Sequence, residues 1–341
     1  MIHQITVLIS SLPDCALPHS TTTLRAMKKT LEVLTSAFNE EEGIKAFLDT
    51  AVTVLESHPE YAWSIRIVDN GSSDSTWEII SEVAKLDSRI IGYKMVRSFG
   101  FDHAISFVLD QAVSDAVIIM TSDLQDPPEV ISKFIAEFEK GHNHVVAKVI
   151  HRESISLKRR FSTRVFYFLA DKLTDGLYPR DISDFRLMSR NVYLDVRKMR
   201  EQNRFLRGIV AWTGHKTITV EVRRPERKFG VSHFESLQLR KVIPWALSSI
   251  LSFTAKPLEF VALASIFFSG FTLFLLLILV GFWIIAGVPF AGYGSIIGGV
   301  MLLFSITLLI LGIFSIYLKL IFNEIKARPL YLVEKSTVPL N

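Results

Sequence analysis

The stretch Ala116-Val117-Ile118-Ile119-Met120-Thr121-Ser122-Asp123-Leu124-Gln125-Asp126-Pro127-Pro128-Glu129 joins a short apolar, β-branched run to an acidic loop and two prolines. The apolar run predicts a strand over Ala116–Met120. Behind it, Pro128–Lys140 predicts an amphipathic helix with proline in its first turn, where the missing N–H costs little. The alternation extends outward on both sides. Strands are expected at Leu31–Ala37, Ser64–Val68, Ile90–Met95 and His144–Val149, with helices at Glu41–Glu56, Thr76–Leu86 and His103–Val113 between them. Such alternation is the pattern of βαβ units, so residues 30–235 read as an α/β, Rossmann-like domain with a mostly parallel sheet.

In an open α/β sheet the ligand sits beyond the carboxyl ends of the strands. Those ends are acidic here: Asn39-Glu40 after the first strand, Asp69-Asn70-Gly71-Ser72 after the second, and Asp123, Gln125 and Asp126 after the fourth. Neither G-x-G-x-x-G nor G-x-x-x-x-G-K-[ST] occurs in the chain, which argues against a glycine-rich phosphate loop. Carboxylates with a divalent cation handling a pyrophosphate are the expected alternative. Each residue also has a plain role open to it, since Asn39, Asp74 and Asp126 could each cap a following helix. Capping does not, however, require acidic groups at the same end of three strands.

Of the 341 residues, 49% are hydrophobic and 21% charged, and no Asp, Glu, Lys, Arg or His occurs from Phe260 to Leu318. That run is long enough for two spanning helices, near Phe260–Ala286 and Ser295–Leu318, with a break at Gly287–Gly294. Lys256 precedes the pair and Lys319, Lys326 and Arg328 follow it, a bias that places both flanks, the catalytic domain and both termini in the cytoplasm. A buried hairpin in a soluble core is the other reading, and the rest of the chain supplies no layer to cover it. Residues 236–257 read as a juxtamembrane amphipathic helix, 258–322 as the transmembrane hairpin, 323–341 as a cytoplasmic tail and 1–29 as an N-terminal extension without signal-peptide features. The lone Cys15 excludes an intrachain disulfide framework and a cysteine-based zinc site.

Four segments, taken together, resemble the polyprenyl-phosphate glycosyltransferases. They are Ala37-Phe38-Asn39-Glu40-Glu41, Val68-Asp69-Asn70-Gly71-Ser72-Ser73-Asp74-Ser75-Thr76, Ser122-Asp123-Leu124-Gln125-Asp126-Pro127-Pro128-Glu129 and Ser183-Asp184-Phe185-Arg186-Leu187. These enzymes are inverting, family-2 glycosyltransferases of GT-A fold that include dolichol-phosphate mannose synthase and the bacterial bactoprenol glucosyltransferases. The resemblance runs from about Leu31 to the C-terminus.

The resemblance implies roles for individual residues. Phe38, Glu40, Asp69 and Asn70 would hold the nucleotide, although the family usually has a second aspartate where Asn70 stands, and Asp69-Asn70-Gly71 could be a plain turn. Asp123 and Gln125 would bind Mg²⁺ or Mn²⁺, with Thr121 in place of one expected carboxylate. Asp184 would lie near the reacting centre, as a base toward the acceptor phosphate or as the orienter of Arg186, with a structural Asp–Arg turn as the alternative. Arg152, Arg159, Ser162, Arg227, Ser232 and His233 would bind phosphate or acceptor, His233 standing where a lysine is usual. The basic clusters could instead attract anionic lipid headgroups.

The expected activity is therefore transfer of a sugar from a nucleotide diphosphate, a UDP-sugar by preference, to an undecaprenyl-type polyprenyl phosphate for cell-surface glycan modification. Expected partners are the donor, the polyprenyl lipid, the membrane, a second copy of the chain and a lipid-linked-sugar flippase, with no nucleic acid. Two alternatives stand beside it. A processive polysaccharide synthase would carry Gln-x-x-Arg-Trp, which Gln202-Asn203-Arg204-Phe205-Leu206 does not match. An inactive membrane scaffold of the same fold is motivated by Asn70, Thr121 and His233.

Overall fold

The computed structural model describes residues 28–151, 171–172, 174, 182–225, 253–254, 256–286 and 292–339. Its elements run β1 Lys29–Ala37, α1 Ile44–Glu56, β2 Tyr61–Asp69, α2 Thr76–Leu86, β3 Ile90–Met95, α3 Phe101–Gln111, β4 Ala116–Ile119, α4 Val130–Glu139 and β5 His144–His151. Then come β6 Ile182–Ser189, α5 Arg190–Lys198, α6 Leu206–Trp212, β7 Thr217–Arg223, α7 Lys256–Ala286, α8 Tyr293–Lys326 and β8 Val333–Ser336. The five strands and four helices expected up to residue 151 are all present, and α2 and β3 have the expected bounds. Residues 1–27 of the N-terminal extension, most of the juxtamembrane segment, residues 287–291 of the break, and Arg152, Arg159, Ser162, Arg227, Ser232 and His233 lie outside the described residues, and Lys29, expected to end the extension, already belongs to β1.

Among the described residues, eight strands form one sheet in the order β7-β5-β6-β4-β1-β2-β3-β8. Pairing is parallel through β4-β1-β2-β3 and for β5-β7, and antiparallel where β6 lies between β4 and β5 and where β8 joins β3. Side-chain alternation sends Leu31, Val33, Ala116 and Ile118 to one face, against α1, α2 and α4. Leu34, Val117 and Ile119 go to the other, against α3, α5 and α6. A strand buried on both faces must be apolar at every position, and this is why β4 reads as an unbroken run. On the α4 side, Phe134 packs on Phe185 of β6 with centroids 4.7 Å apart, and truncating Phe134 to Ala would cost about 3–5 kcal/mol. The buried charge in β1 is Glu32, only 4% exposed, which pairs with Arg66 at 2.9 Å and accepts bonds from Val113 N and the Ser114 hydroxyl.

The helices α7 and α8 have 31 and 34 residues, about 46 and 51 Å at 1.5 Å per residue. Among the described residues, one segment meets the length and composition of a bilayer span, Leu302–Lys326 within α8. Both ends of the helical pair touch the domain. Near its start, the Phe253 ring packs on Gly208 of α6 and Lys256 Nζ donates to the Lys172 carbonyl, while the Thr254 carbonyl accepts from the Tyr317 hydroxyl of α8 itself at 3.2 Å. Past its finish, Tyr331 stacks edge-on against Phe107 and donates to Asp110 at 2.7 Å, and β8 then covers the free edge of β3. The sequence reading did not include this strand.

Candidate active site at the carboxyl edge of the sheet

The loops after β1 and β2 form one hydrogen-bonded unit. Asn39 takes a left-handed φ of 53°, a conformation Asn tolerates better than most residues. Its N–H donates to the Ser72 hydroxyl, and its side-chain oxygen accepts from Ser73 N, both at 2.9 Å. The stitching continues with Glu40 N to Thr76 Oγ1, Glu41 N to Asp74 and Ser75 N to Glu41. Asn39 thus ties two loops together rather than capping α1, while Asp74 accepts from both N–H and hydroxyl of Thr76 at the start of α2.

Asp69 ends β2 fully buried. Its Oδ1 accepts from Ser72 N at 2.9 Å, and its Oδ2 has no hydrogen-bond partner among the described residues. Burial pushes its pKa up against the lowering effect of the Ser72 hydrogen bonds. Asn70 is buried beside it with Oδ1 accepting from Phe99 N at 2.9 Å, so this side chain holds the loop after β3. Gly71, at φ 76°, is demanded by that approach: a Cβ there would lie 2.5 Å from the Arg97 carbonyl carbon. Glu40 is buried and Phe38 half-buried at the same edge.

The loop after β4 is held by carboxylates. Asp123 Oδ1 accepts from Gln125 N at 3.1 Å and lies 2.8 Å from the Thr121 hydroxyl, which also reaches Asp126 Oδ2 at 2.9 Å. Leu124 between them sits at φ 58°, a costly position for leucine of the kind that clusters at functional loops. Asp126 is 2% exposed. It accepts from Thr121 N on one oxygen and from Arg224, at 2.6 Å, on the other, with Ser183 Oγ at 3.5 Å. Asp126 therefore joins the β4 loop, the start of β6 and the residue after β7, instead of capping α4.

Because β6 runs antiparallel to β4, its beginning lies at the same edge and brings Asp184 there. Arg207 of α6 grips Asp184 with two bonds, Nε to Oδ1 at 2.6 Å and Nη2 to Oδ2 at 2.5 Å. Arg186 is buried 3.9 Å from Asp184 and donates to the Ser183 and Asp184 carbonyls. Burial lowers the Arg186 pKa to about 10. Burial and then the Asp184 charge raise Asp102 of α3 to about 6, and Asp102 accepts from Leu206 N at the start of α6.

Glu40, Asp69, Asn70, Asp123, Gln125, Asp184 and Arg186 thus all lie along one edge. Arg207 and Arg224 were not among the expected site residues, and Asp126 was expected only as one of the acidic residues after the fourth strand. The Asp126 partner of Arg224 lies 98 positions earlier. Among the described residues, no group of three His, Cys, Asp or Glu is placed to hold a metal ion. The donor chemistry of Asp123 and Gln125 suits a hard cation that takes its remaining ligands from phosphate and water, and not a closed protein cage.

Residues 32–197 match glycosyl transferase family 2. The chain is 33% identical over 311 residues to the SfII prophage-derived bactoprenol glucosyl transferase of Shigella flexneri, covering 90% of this chain and 98% of that one. It is 32% identical over 310 residues to the prophage bactoprenol glucosyl transferase homolog of Escherichia coli strain K12, covering 89% and 98%. Among solved structures, glucosyl-3-phosphoglycerate synthase from Mycobacterium tuberculosis, in complex with Mn²⁺, UDP and phosphoglyceric acid, aligns with TM-score 0.47 and 18% identity over 65% of this chain and 78% of that one. The acidic carboxyl edge and the near full-length likeness together mean that the chain belongs to glycosyl transferase family 2, is a glycosyltransferase of GT-A-like fold, and falls in the group that holds the bactoprenol glucosyl transferases.

Proposed function

We propose that this enzyme transfers a sugar from a nucleotide diphosphate, a UDP-sugar by preference, to polyprenyl phosphate with inversion at the anomeric carbon. The observation that carries the reading is the gathering of Asp69, Asp123 and Asp184 at one sheet edge, with Arg186, Arg207 and Arg224 among them. Asp69 Oδ2, buried and without a partner among the described residues, suits an N–H or O–H donor of the base or ribose, next to Phe38, Glu40 and the remaining valence of Asn70. A Mg²⁺ or Mn²⁺ ion shared by Asp123, Gln125 and the diphosphate would offset charge on the leaving group.

The acceptor phosphate oxygen attacks the anomeric carbon as the bond to the diphosphate oxygen breaks. An anionic acceptor needs little help from a base, so positioning by Asp184 and charge balance by the arginines are the chain's main contributions. Arg152, Arg159, Ser162, Arg227, Ser232 and His233 are proposed for the lipid phosphate and donor pyrophosphate on sequence grounds.

Chain topology supports a membrane location. The helical pair leaves the domain after Phe253, which packs on Gly208, and returns to it at Tyr331, which supports both ends on one side and an even number of crossings. If Leu302–Lys326 spans, α7 spans too, and its exposed Phe260, Leu263, Phe267 and Ile284 then face lipid. The lysine and arginine flanks support a cytoplasmic domain. The test is to incubate membranes containing the protein with a panel of radiolabelled nucleotide sugars and then extract lipid. One nucleotide sugar, expected to be a UDP-sugar, should label a polyprenyl-phosphate product in the presence of Mg²⁺ or Mn²⁺ but not in chelator. Absence of lipid label from every donor would overturn the reading.

A further inference from the structure

Helix α6 and the loop before it touch three distant parts of the molecule. Arg207 forks onto both oxygens of Asp184. Its neighbour Gly208 lies under the Phe253 ring, just ahead of α7: a Cβ on Gly208 would come 2.7 Å from that ring. At the far end of the helical pair, Gln202 N donates to Glu324 and Gln202 Nε2 to the Arg328 carbonyl, both at 2.8 Å. Arg200 donates to the same Asp110 oxygen that takes the Tyr331 hydroxyl. Residues 200–208 are therefore held by both ends of the membrane hairpin, and this segment carries the guanidinium that fixes Asp184. A bidentate fork sets the plane of a carboxylate as well as its place, which a single bond cannot do.

We propose that Arg207 is a positioning residue for Asp184, and that segment 200–208 passes the seating of the helical hairpin on to that carboxylate. The proposal rests on Asp184 acting at the reacting centre, as read above. The charged groups facing Asp184 are Arg207 on α6, Arg186 on β6, Arg224 after β7 and Asp102 on α3. Burial pushes the Asp184 carboxyl up, but the charge and hydrogen bonds of Arg207, followed by Arg186 and Arg224, outweigh it and hold it below the ordinary range. Without Arg207 the carboxyl rises, and the acid limb of the rate profile moves to higher pH.

The experiment uses the full-length protein in lipid nanodiscs, with kcat, both KM values and the profile measured from about pH 3 to 8. Arg207→Ala should lower kcat about 100-fold, leave both KM values within about twofold and shift the acid limb upward. Arg207→Lys should recover part of kcat and bring the limb back toward wild type. Gln202→Ala and Glu324→Ala should each lower kcat several-fold with KM unchanged. Wild-type kcat in Arg207→Ala, or a loss carried by KM with the acid limb unmoved, overturns the positioning role. If the Ala variant does not fold, wild-type kcat in Arg207→Lys does the same. Wild-type kcat in both Gln202→Ala and Glu324→Ala overturns the link to the hairpin. Asp184→Asn separates the two levels: full activity there sinks the reading of Asp184 itself, whereas its loss alongside an unaffected Arg207→Ala sinks only the proposal.

Discussion

The two halves of the carboxyl edge are built with different chemistry. After β1 and β2 the loops are stitched by main-chain amides donating to Ser72, Thr76, Asp74, Glu41, Asn39 and Asp69, with one buried carboxylate oxygen of Asp69 left over. After β4, β6 and β7 the acids meet guanidinium groups instead, buried Asp126 with Arg224 and half-buried Asp184 with Arg207. The first half is a rigid acceptor suited to neutral donors. The second is a set of balanced charges, suited to a reaction in which charge moves from one phosphate to another. A shape-reading half and a charge-balancing half should fail differently when cut.

The largest effect is expected on the charged side. Asp123→Ala removes the carboxylate proposed for the cation, and transfer should fall about 1,000-fold, the upper range for loss of one electrostatic stabiliser. Activity of that variant should no longer respond to Mg²⁺ or to chelator, and full activity in chelator would remove the metal from the comparison. Next comes Asp126→Ala, which leaves Arg224 without its carboxylate and the Thr121 amide without its acceptor. Breaking such a partly buried pair costs about 3 kcal/mol, read as a lowered Tm.

On the uncharged side the effects should be smaller and appear in binding. Asp69→Asn should raise the donor KM roughly 30-fold, the equivalent of one lost hydrogen bond to a charged group, with kcat nearly kept. The same variant should change pH dependence. Burial raises the folded pKa of Asp69 above its unfolded value, so its contribution to stability is intact below about pH 3.9 and is lost as pH rises through the folded value. Asp69→Asn lacks this loss and should gain on the wild type in unfolding titrations over that window. An unchanged difference across it would mean that the carboxylate is better solvated than its burial indicates. Ser72→Ala, the mildest, removes the acceptor for Asn39 N and should cost about 1 kcal/mol of stability with a donor KM raised only a few-fold.

Much of the fold was legible because period and burial coincide. The strands up to His151 are apolar runs buried by helices on one or both faces, and the expected helices lie within three residues of their observed bounds. The later elements gave weaker signals for physical reasons. β7 is an edge strand with most of its side chains exposed, and β8, Val-Glu-Lys-Ser, has no apolar alternation and owes its place to pairing with β3 and to Tyr331 and Leu330 beside it. In the site, residues carried by short motifs were legible, namely Asp69, Asp123 and Asp184. Residues defined by a partner far along the chain were not: Arg207 stands 23 positions from Asp184, and no local pattern marks one arginine of an amphipathic helix as the partner of an acid on a strand.

The edge strand β8 also sets an order of synthesis. Gly92 of β3 bonds Thr337, 245 residues further on. At about 5–20 residues per second, the ribosome leaves the β3 edge uncovered for roughly 12 to 50 s. In that interval the nascent domain carries an open row of amides and carbonyls while α7 and α8 are still being made. Sealing the sheet is thus a late step that follows synthesis of both long helices, and a chain that stalls before Val333 should present an aggregation-prone edge to chaperones and proteases, so that completing the helical pair becomes the condition for survival of the catalytic domain.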